Sequence, residues 1–300
     1  MTAPAPKFRS GFVAVVGRPN TGKSTLVNSL VGQKVSIVTD KPQTTRGQVR
    51  GVLTTDAYQM VFTDTPGFHK PRTALGERLN RMVGESTEGA DAAVLVVDGA
   101  GGVGRGDEFV ARERVATLPC PKVCVLNKID VISKGELLAQ LEQAAALADF
   151  DHIVPVSAKM GENLPELVDV LVSLMPEAGP LYEAGQVTDQ PVEFRVAEIV
   201  REKILQLTRE EIPHSVAVQV EEMDRDEERD LIRISCLVLV ERESQKGIVI
   251  GRGGHMLKTV GTRARQELEL VLGSKVFLDL RVKVLREWQR DPTALTRLGY

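Results

Sequence analysis

Val13-Ala-Val-Val-Gly-Arg-Pro-Asn-Thr-Gly-Lys-Ser24 decides the fold. Four apolar residues, 13–16, run straight into Gly17-x-x-x-x-Gly22-Lys23-Ser24, and an apolar helical stretch, TLVNSLVG, follows at 25–32. Strand, glycine loop and helix in this order form a phosphate-binding loop. The glycines let backbone N–H groups turn toward phosphate oxygens, and the following helix adds its positive N-terminal end. Arg18, Pro19, Asn20 and Thr21 complete the loop. Lys23 can reach the β- and γ-phosphates, and the Ser24 hydroxyl can ligate Mg²⁺.

Working outward, short apolar runs recur at 60–62, 93–97, 123–126 and 153–156, each followed by a loop holding Gly, Pro, Asp or Asn. Continuous apolar strands separated by helices predict a mostly parallel sheet with helices on both faces. This is an α/β P-loop NTPase domain, expected over 12–175 after an N-terminal tail at 1–11. Residues 176–191 hold three prolines and two glycines and read as a linker. Over 192–300 the pattern becomes helix, strand, strand, helix, strand, an α+β domain.

Bulk properties fit two domains. The chain has 300 residues, 42% hydrophobic and 26% charged. Cys120, Cys124 and Cys236 form no disulfide framework, which indicates a reducing compartment, and nothing beside CPKVC at 120–124 completes a zinc set. The start, MTAPAPKFRSGF, lacks a signal peptide's apolar core, and no run approaches a membrane span, so a cytoplasmic location is expected. The net charge of −3 does not by itself suggest a polyanion partner.

Three further motifs stand at strand ends. Asp64-Thr65-Pro66-Gly67 offers a carboxylate for a second-shell Mg²⁺ contact and the Gly67 N–H for a γ-phosphate. Asn127-Lys128-Ile129-Asp130 chooses the base. The Asp130 carboxylate can accept from the N1–H and 2-amino group of guanine, and adenine would leave it unpaired. Lys128 can lay its stem over the ring, while Asn127 either contacts the base or braces neighbouring loops. In Ser157-Ala158-Lys159 the Ala158 N–H can meet the guanine O6. In the polar segment 35–50, Thr45 is preferred over Thr44 as the residue that joins Mg²⁺ when the γ-phosphate is present. Gly99-x-Gly101-x-x-Gly104 fits a dinucleotide fingerprint, but the next strand ends in Asn127 rather than an acid, so it is read as a flexible loop.

These motifs together resemble the translation-factor-like branch of P-loop GTPases. Ras-type members orient the attacking water with a glutamine directly after the Asp-x-x-Gly glycine. Here Phe68 stands at that position, so slow intrinsic turnover is expected. His69 as a general base is less favoured than a solvated histidine. Related GTPases with the G-x-P-N-x-G-K-S loop are often stimulated by potassium. Asn20 could help to hold K⁺ against the phosphates, or only brace the loop. On this reading Lys23, Thr45, Gly67 and Asn20 are the catalytic candidates.

Charge is segregated in the second domain. Residues 221–230 hold seven acidic and two basic side chains, and 246–290 hold ten basic and four acidic. The basic stretch contains Gly251-Arg252-Gly253-Gly254 before an amphipathic helix, in the manner of the G-x-x-G loop of a KH domain, which clamps about four single-stranded nucleotides. Arg252, Lys258 and Arg263 are the candidate phosphate contacts.

With GRPNTGKS, KPQTTR, DTPGFHKP and NKID joined to LVERESQKGIVIGRGG and a final TRLGY, the chain resembles the bacterial Era family over nearly its whole length. The resemblance implies a GTPase that binds the 3′ end of small-subunit ribosomal RNA and acts in small-subunit assembly. In some members it implies peripheral contact with the inner membrane. A monomer is expected. Arg252 replaces the lysine usual in the family's loop and keeps the charge. Two alternatives are a sister-family GTPase of tRNA modification or large-subunit assembly, and a nucleotide sensor with negligible hydrolysis.

Overall fold

The computed structural model describes residues 7–68, 71, 73–208 and 212–300. The chain divides into two compact units: 1–36, 45–71 and 77–189 form the first, and 37–44, 72–76 and 190–300 the second.

The first unit is built on six strands: β1 (Arg9–Val16), β2 (Val49–Thr54), β3 (Tyr58–Asp64), β4 (Ala92–Asp98), β5 (Lys122–Asn127) and β6 (His152–Val156). Their order is β2-β3-β1-β4-β5-β6, parallel except for β2, which pairs antiparallel with β3. Every residue of β4 is buried, as expected for a strand covered on both sides. Helices α1 (Lys23–Val31), α2 (Ala74–Thr87), α3 (Arg105–Val110), α4 (Lys134–Ala145) and α5 (Leu164–Leu174) connect the strands, with a π-turn at Ala111–Val115 extending α3. Strand order reverses at β1, whose neighbours are β3 and β4. The crevice beyond the carboxyl ends of such strands is where doubly wound sheets bind ligands. Asp64, Asp98 and Asn127 end their strands at this edge, as do the residues just before Gly17 and Ser157.

The second unit holds α6 (Val192–Leu207), α7 (Ile212–Ser215), β7 (Ala217–Asp226), β8 (Leu231–Val240), α8 (Glu243–Ile250), α9 (His255–Leu272), β9 (Lys275–Val284) and α10 (Pro292–Arg297). Its sheet runs β7-β8-β9, with β8 parallel to β9 and β9 at one edge. One face packs Ile232, Ile234, Cys236 and Val276 into a core with Val200 and Ile204 of α6 and Val260, Ala264 and Leu268 of α9. Burying each valine, leucine or isoleucine among them contributes roughly 1.5–3 kcal/mol.

Two elements depart from the sequence reading. Strand β2 begins inside the polar segment 35–50 and runs on to Thr54, a stretch to which no strand was assigned. The strand expected to run on to Glu243 stops at Val240, and the apolar segment before Gly251 is helix α8. The strand stops at Val240 because the Gln245 amide oxygen accepts the N–H groups of Glu241 (2.9 Å) and Arg242 (3.0 Å), turning the chain into a helix that ends at Gly251.

Candidate functional site

The loop from Gly17 to Ser24 wraps the start of α1. A Cβ at Gly22 would lie 2.3 Å from the Asn127 amide nitrogen, and one at Gly67 2.7 Å from Pro19 Cα. These glycines let the motifs close on one another. Lys23 is buried, and its Nζ donates to the carbonyls of Gly17 (3.1 Å) and Arg18 (2.9 Å). Burial lowers its pKa from 10.5 to about 8, against the opposing pull of Asp64. A phosphate anion would restore the preference for the charged form.

Ser24, Thr45 and Asp64 come together. Ser24 Oγ is 2.9 Å from Thr45 Oγ1, which donates to Asp64 Oδ2 at 3.4 Å. Asp64 is fully buried, and burial raises its pKa. Its Oδ1 makes no hydrogen bond among the described residues. A buried carboxyl with one oxygen bare beside two hydroxyls suits a hard divalent cation, which favours the charged form and completes its shell with phosphate and water oxygens. Thr44 is turned elsewhere: its hydroxyl donates to the Lys41 carbonyl at 2.7 Å. Thr65 donates to the Val15 carbonyl at 2.8 Å and locks the start of the Asp64–Gly67 turn.

At the base-recognition end, Asn127 braces. Its Nδ2 donates to the Thr21 carbonyl at 2.9 Å, and its Oδ1 accepts the Ala158 N–H at 3.0 Å. The N–H expected to meet guanine thus bonds Asn127 here. Ser157 Oγ donates to Asp130 Oδ1 at 2.6 Å and orients the exposed carboxylate. Lys128 Nζ bonds the Asn20 carbonyl (2.9 Å) and Asp98 Oδ2 (2.7 Å), which stretches its stem along the place for the base.

Two acids missed in the sequence support this end. Asp98 accepts the N–H groups of Ala100 and Gly101 at 3.1 and 3.0 Å. Asp107, fully buried, takes Arg18 Nε on both oxygens at 3.0 Å, and Arg18 Nη2 reaches the Gly102 carbonyl at 3.3 Å. Burial raises the Asp107 pKa, and Arg18 opposes the rise. The glycine-rich loop read as flexible is therefore pinned to the phosphate loop. Asp98 was legible as one more carboxylate at a strand end.

Phe68, counted by the sequence reading with the nucleotide loop, packs into the apolar interior of the first unit. It is buried, stacks on Phe109 with ring centroids 5.2 Å apart, and lies under the Arg114 guanidinium at 4.5 Å. His69 lies outside the described residues.

The segment Ile37–Thr44, inside the polar stretch preceding Thr45, belongs to the second unit. Ile37 is buried in its core, and the Val38 N–H donates to Glu202 Oε1 at 2.9 Å. Arg201, fully buried, donates from Nη2 to the Thr44 carbonyl and is held by Glu198 at 2.6 and 2.7 Å. Helix α6 thus grips this strap at both ends. No local signal could have shown it, since the partners lie over 150 residues apart.

In the second unit, Gly251, Gly253 and Gly254 all have positive φ, and a Cβ at Gly251 would sit 2.7 Å from Met256 Cβ. Arg252 and Gly253 project outward as an exposed turn between α8 and α9. Beside it lies a groove of about 400 Å³ whose lining includes Gly254, Leu257, Lys258, Arg265, Leu278 and Leu280. Arg263 is exposed but does not line it. The groove-facing stripe of α9 runs 257, 258, 261, 262, 265, which brings Arg265 to the groove beside Lys258.

Fold and site define a P-loop GTPase followed by a KH domain. The family model described as 50S ribosome-binding GTPase matches residues 12–128, and that of the KH domain matches residues 211–289. Two solved structures are similar throughout, each 40% identical and covering 98% of this chain and 99% of their own. One is Era in complex with MgGDPNP and nucleotides 1506–1542 of 16S ribosomal RNA, TM-score 0.95. The other is an Aquifex aeolicus Era variant bound to GDP and AlF4⁻, TM-score 0.94. The chain belongs to the Era family of GTPases. Among the described residues no helix is long and apolar enough to cross a membrane.

Proposed function

We propose that this GTPase is a slow, nucleotide-gated clamp for the 3′ end of small-subunit ribosomal RNA, used in assembling that subunit. The carrying observation is the strap: Thr45, beside Ser24 and Asp64, directly follows a segment gripped by Arg201 and Glu202. A change at Thr45 on γ-phosphate loss is thereby transmitted to a helix of the RNA-binding unit. The solved relative that holds both MgGDPNP and 16S ribosomal RNA supports the choice of ligands.

In this reading Gly17–Ser24 and Asp64–Gly67 hold the phosphates, and Asn127–Asp130 with Ser157–Lys159 hold guanine. Ser24 and Thr45 ligate Mg²⁺, with Asp64 behind them. When bound, Mg²⁺ neutralises charge on the β- and γ-phosphate oxygens. Lys23 exchanges its loop carbonyls for phosphate oxygens. The strap holds Thr45 in place, and the backbone N–H of Gly67 faces the γ-phosphate. The buried Phe68 orients no water, so turnover is slow. The protein works as a cytoplasmic monomer, and its contact with the inner membrane is peripheral.

The test is single-stranded RNA affinity with a non-hydrolysable GTP analogue and with GDP. The expected result is tighter binding in one state, and a smaller difference between the states in Arg201→Ala. Equal affinity in both states would refute the gate. Gly253→Asp should lower RNA affinity at least about 100-fold in either state by placing a charge against the phosphates. It leaves GTP hydrolysis intact.

Potassium is the second expectation. Asn20 is exposed on the phosphate loop with φ 65°. Its side-chain oxygen is proposed to help hold K⁺ against the phosphates in place of an arginine finger. Phosphate release should be faster in KCl than in NaCl, and the difference should vanish in Asn20→Ala. The same rate in both salts would remove potassium from the scheme.

A further inference from the structure

Among the described residues, Phe277 is the one aromatic side chain among the large hydrophobics left exposed, at 54% of its surface. It sits on the edge strand β9 between Val276 and Leu278, which pack against the core. Its neighbour in register on β8 is Arg233, whose guanidinium lies 5.8 Å from the ring centroid, within cation–π range. Phe277 also borders the groove that holds Gly254, Lys258 and Arg265. The ring therefore stands where the groove meets the open face of the sheet.

Charge decides what can lie on it. Arg252, Lys258 and Arg265 stand on the loop-and-helix side of the groove. Across the sheet, Asp224 faces Arg233, and Glu222 and Asp279 flank Ser235. On the open face the charges are mixed: Lys275 and Arg281 share the exposed side of β9 with Phe277 and Asp279, and Arg281 pairs with Glu221, so a phosphate backbone is drawn to the helix side, where the charge is of one sign. A neutral base needs no such attraction and can rest on the ring. Aromatic rings and arginine planes are the surfaces on which unpaired bases stack.

We infer that Phe277, backed by Arg233, is a stacking platform for one unpaired base next to the nucleotides clamped by the Gly251–Gly254 loop. This rests on the RNA-binding reading above and extends the site by one nucleotide. The ring selects for an unpaired base there, because a base held in a duplex cannot turn out onto it.

The test uses the full chain and an eight-nucleotide single-stranded RNA from the 3′ end of small-subunit ribosomal RNA, with 2-aminopurine placed at each position in turn. In the unmodified protein, one position outside the clamped set should be quenched by stacking. Phe277→Ala should abolish that quenching, weaken binding about tenfold, and leave the signals of the clamped positions in place. Phe277→Trp should retain both quenching and affinity. Circular dichroism of both variants checks that the sheet is intact. Unchanged binding and quenching in Phe277→Ala would overturn the inference and leave the ring to a protein partner. So would an even loss at every position, which marks a wall of the groove. If the unmodified chain binds no single-stranded RNA, the RNA reading itself fails, and Gly253→Asp then has no binding to remove.

Discussion

Asp130→Asn is expected to lower affinity for GTP and GDP by about 10⁴-fold and to create affinity for xanthine nucleotides. The carboxylate offers two acceptors to two guanine donors. An asparagine keeps one acceptor and turns an NH₂ toward the other donor, so one hydrogen bond is lost and two donors face each other. Xanthine carries a carbonyl where guanine has its 2-amino group, and that carbonyl accepts from the new amide. Ser157 Oγ, 2.6 Å from Asp130 Oδ1, can donate to the amide oxygen as well, so the loop keeps its shape. Titrations with fluorescent GDP and XDP read the exchange. Unaltered GDP binding would show that the base is recognised elsewhere.

Lys23→Ala is the second large effect. It should reduce kcat/KM for GTP by about 10³-fold, the scale of losing one preorganised charge at a reacting group. Folding should change little, because two terms oppose. Alanine removes an ammonium whose charged form burial disfavours, with a pKa of about 8, and it leaves two loop carbonyls without their donor. The discriminating measurement is thermal unfolding with and without GTP. Ligand binding stabilises the native protein by mass action. The variant should match the unmodified chain when empty and gain much less from GTP. A variant that melts early when empty would assign Lys23 to structure instead.

What could be read from the sequence follows a physical division. Residues 17–24, 64–67, 127–130 and 157–159 carry their chemistry in contiguous stretches at strand ends, so each motif announced its own place. The parallel sheet was legible because buried strands are apolar throughout. Strand β2 was not, since an edge strand with one polar side resembles loop. Helix α8 was hidden because Ile248-Val-Ile250 looks like strand until Gln245 is seen capping its start. Arg263 and Arg265 have the same chemistry two residues apart, and only the facing of α9 tells which of them borders the groove. The grip of Arg201 and Glu202 on the strap is long-range, and no pattern of neighbours encodes it.

Phe68 has an evolutionary consequence. A glutamine at this position, the substitution that would imitate faster GTPases, would place its amide beside Phe109, in the buried apolar cluster that also holds Val16, Leu95 and Val97. An unsatisfied amide in such surroundings costs about 1–3 kcal/mol. A glutamine at position 68 is therefore expected to cost stability without gaining a contact with the attacking water. Changes in rate are then expected to come through the groups that reach the phosphates from outside, not through position 68.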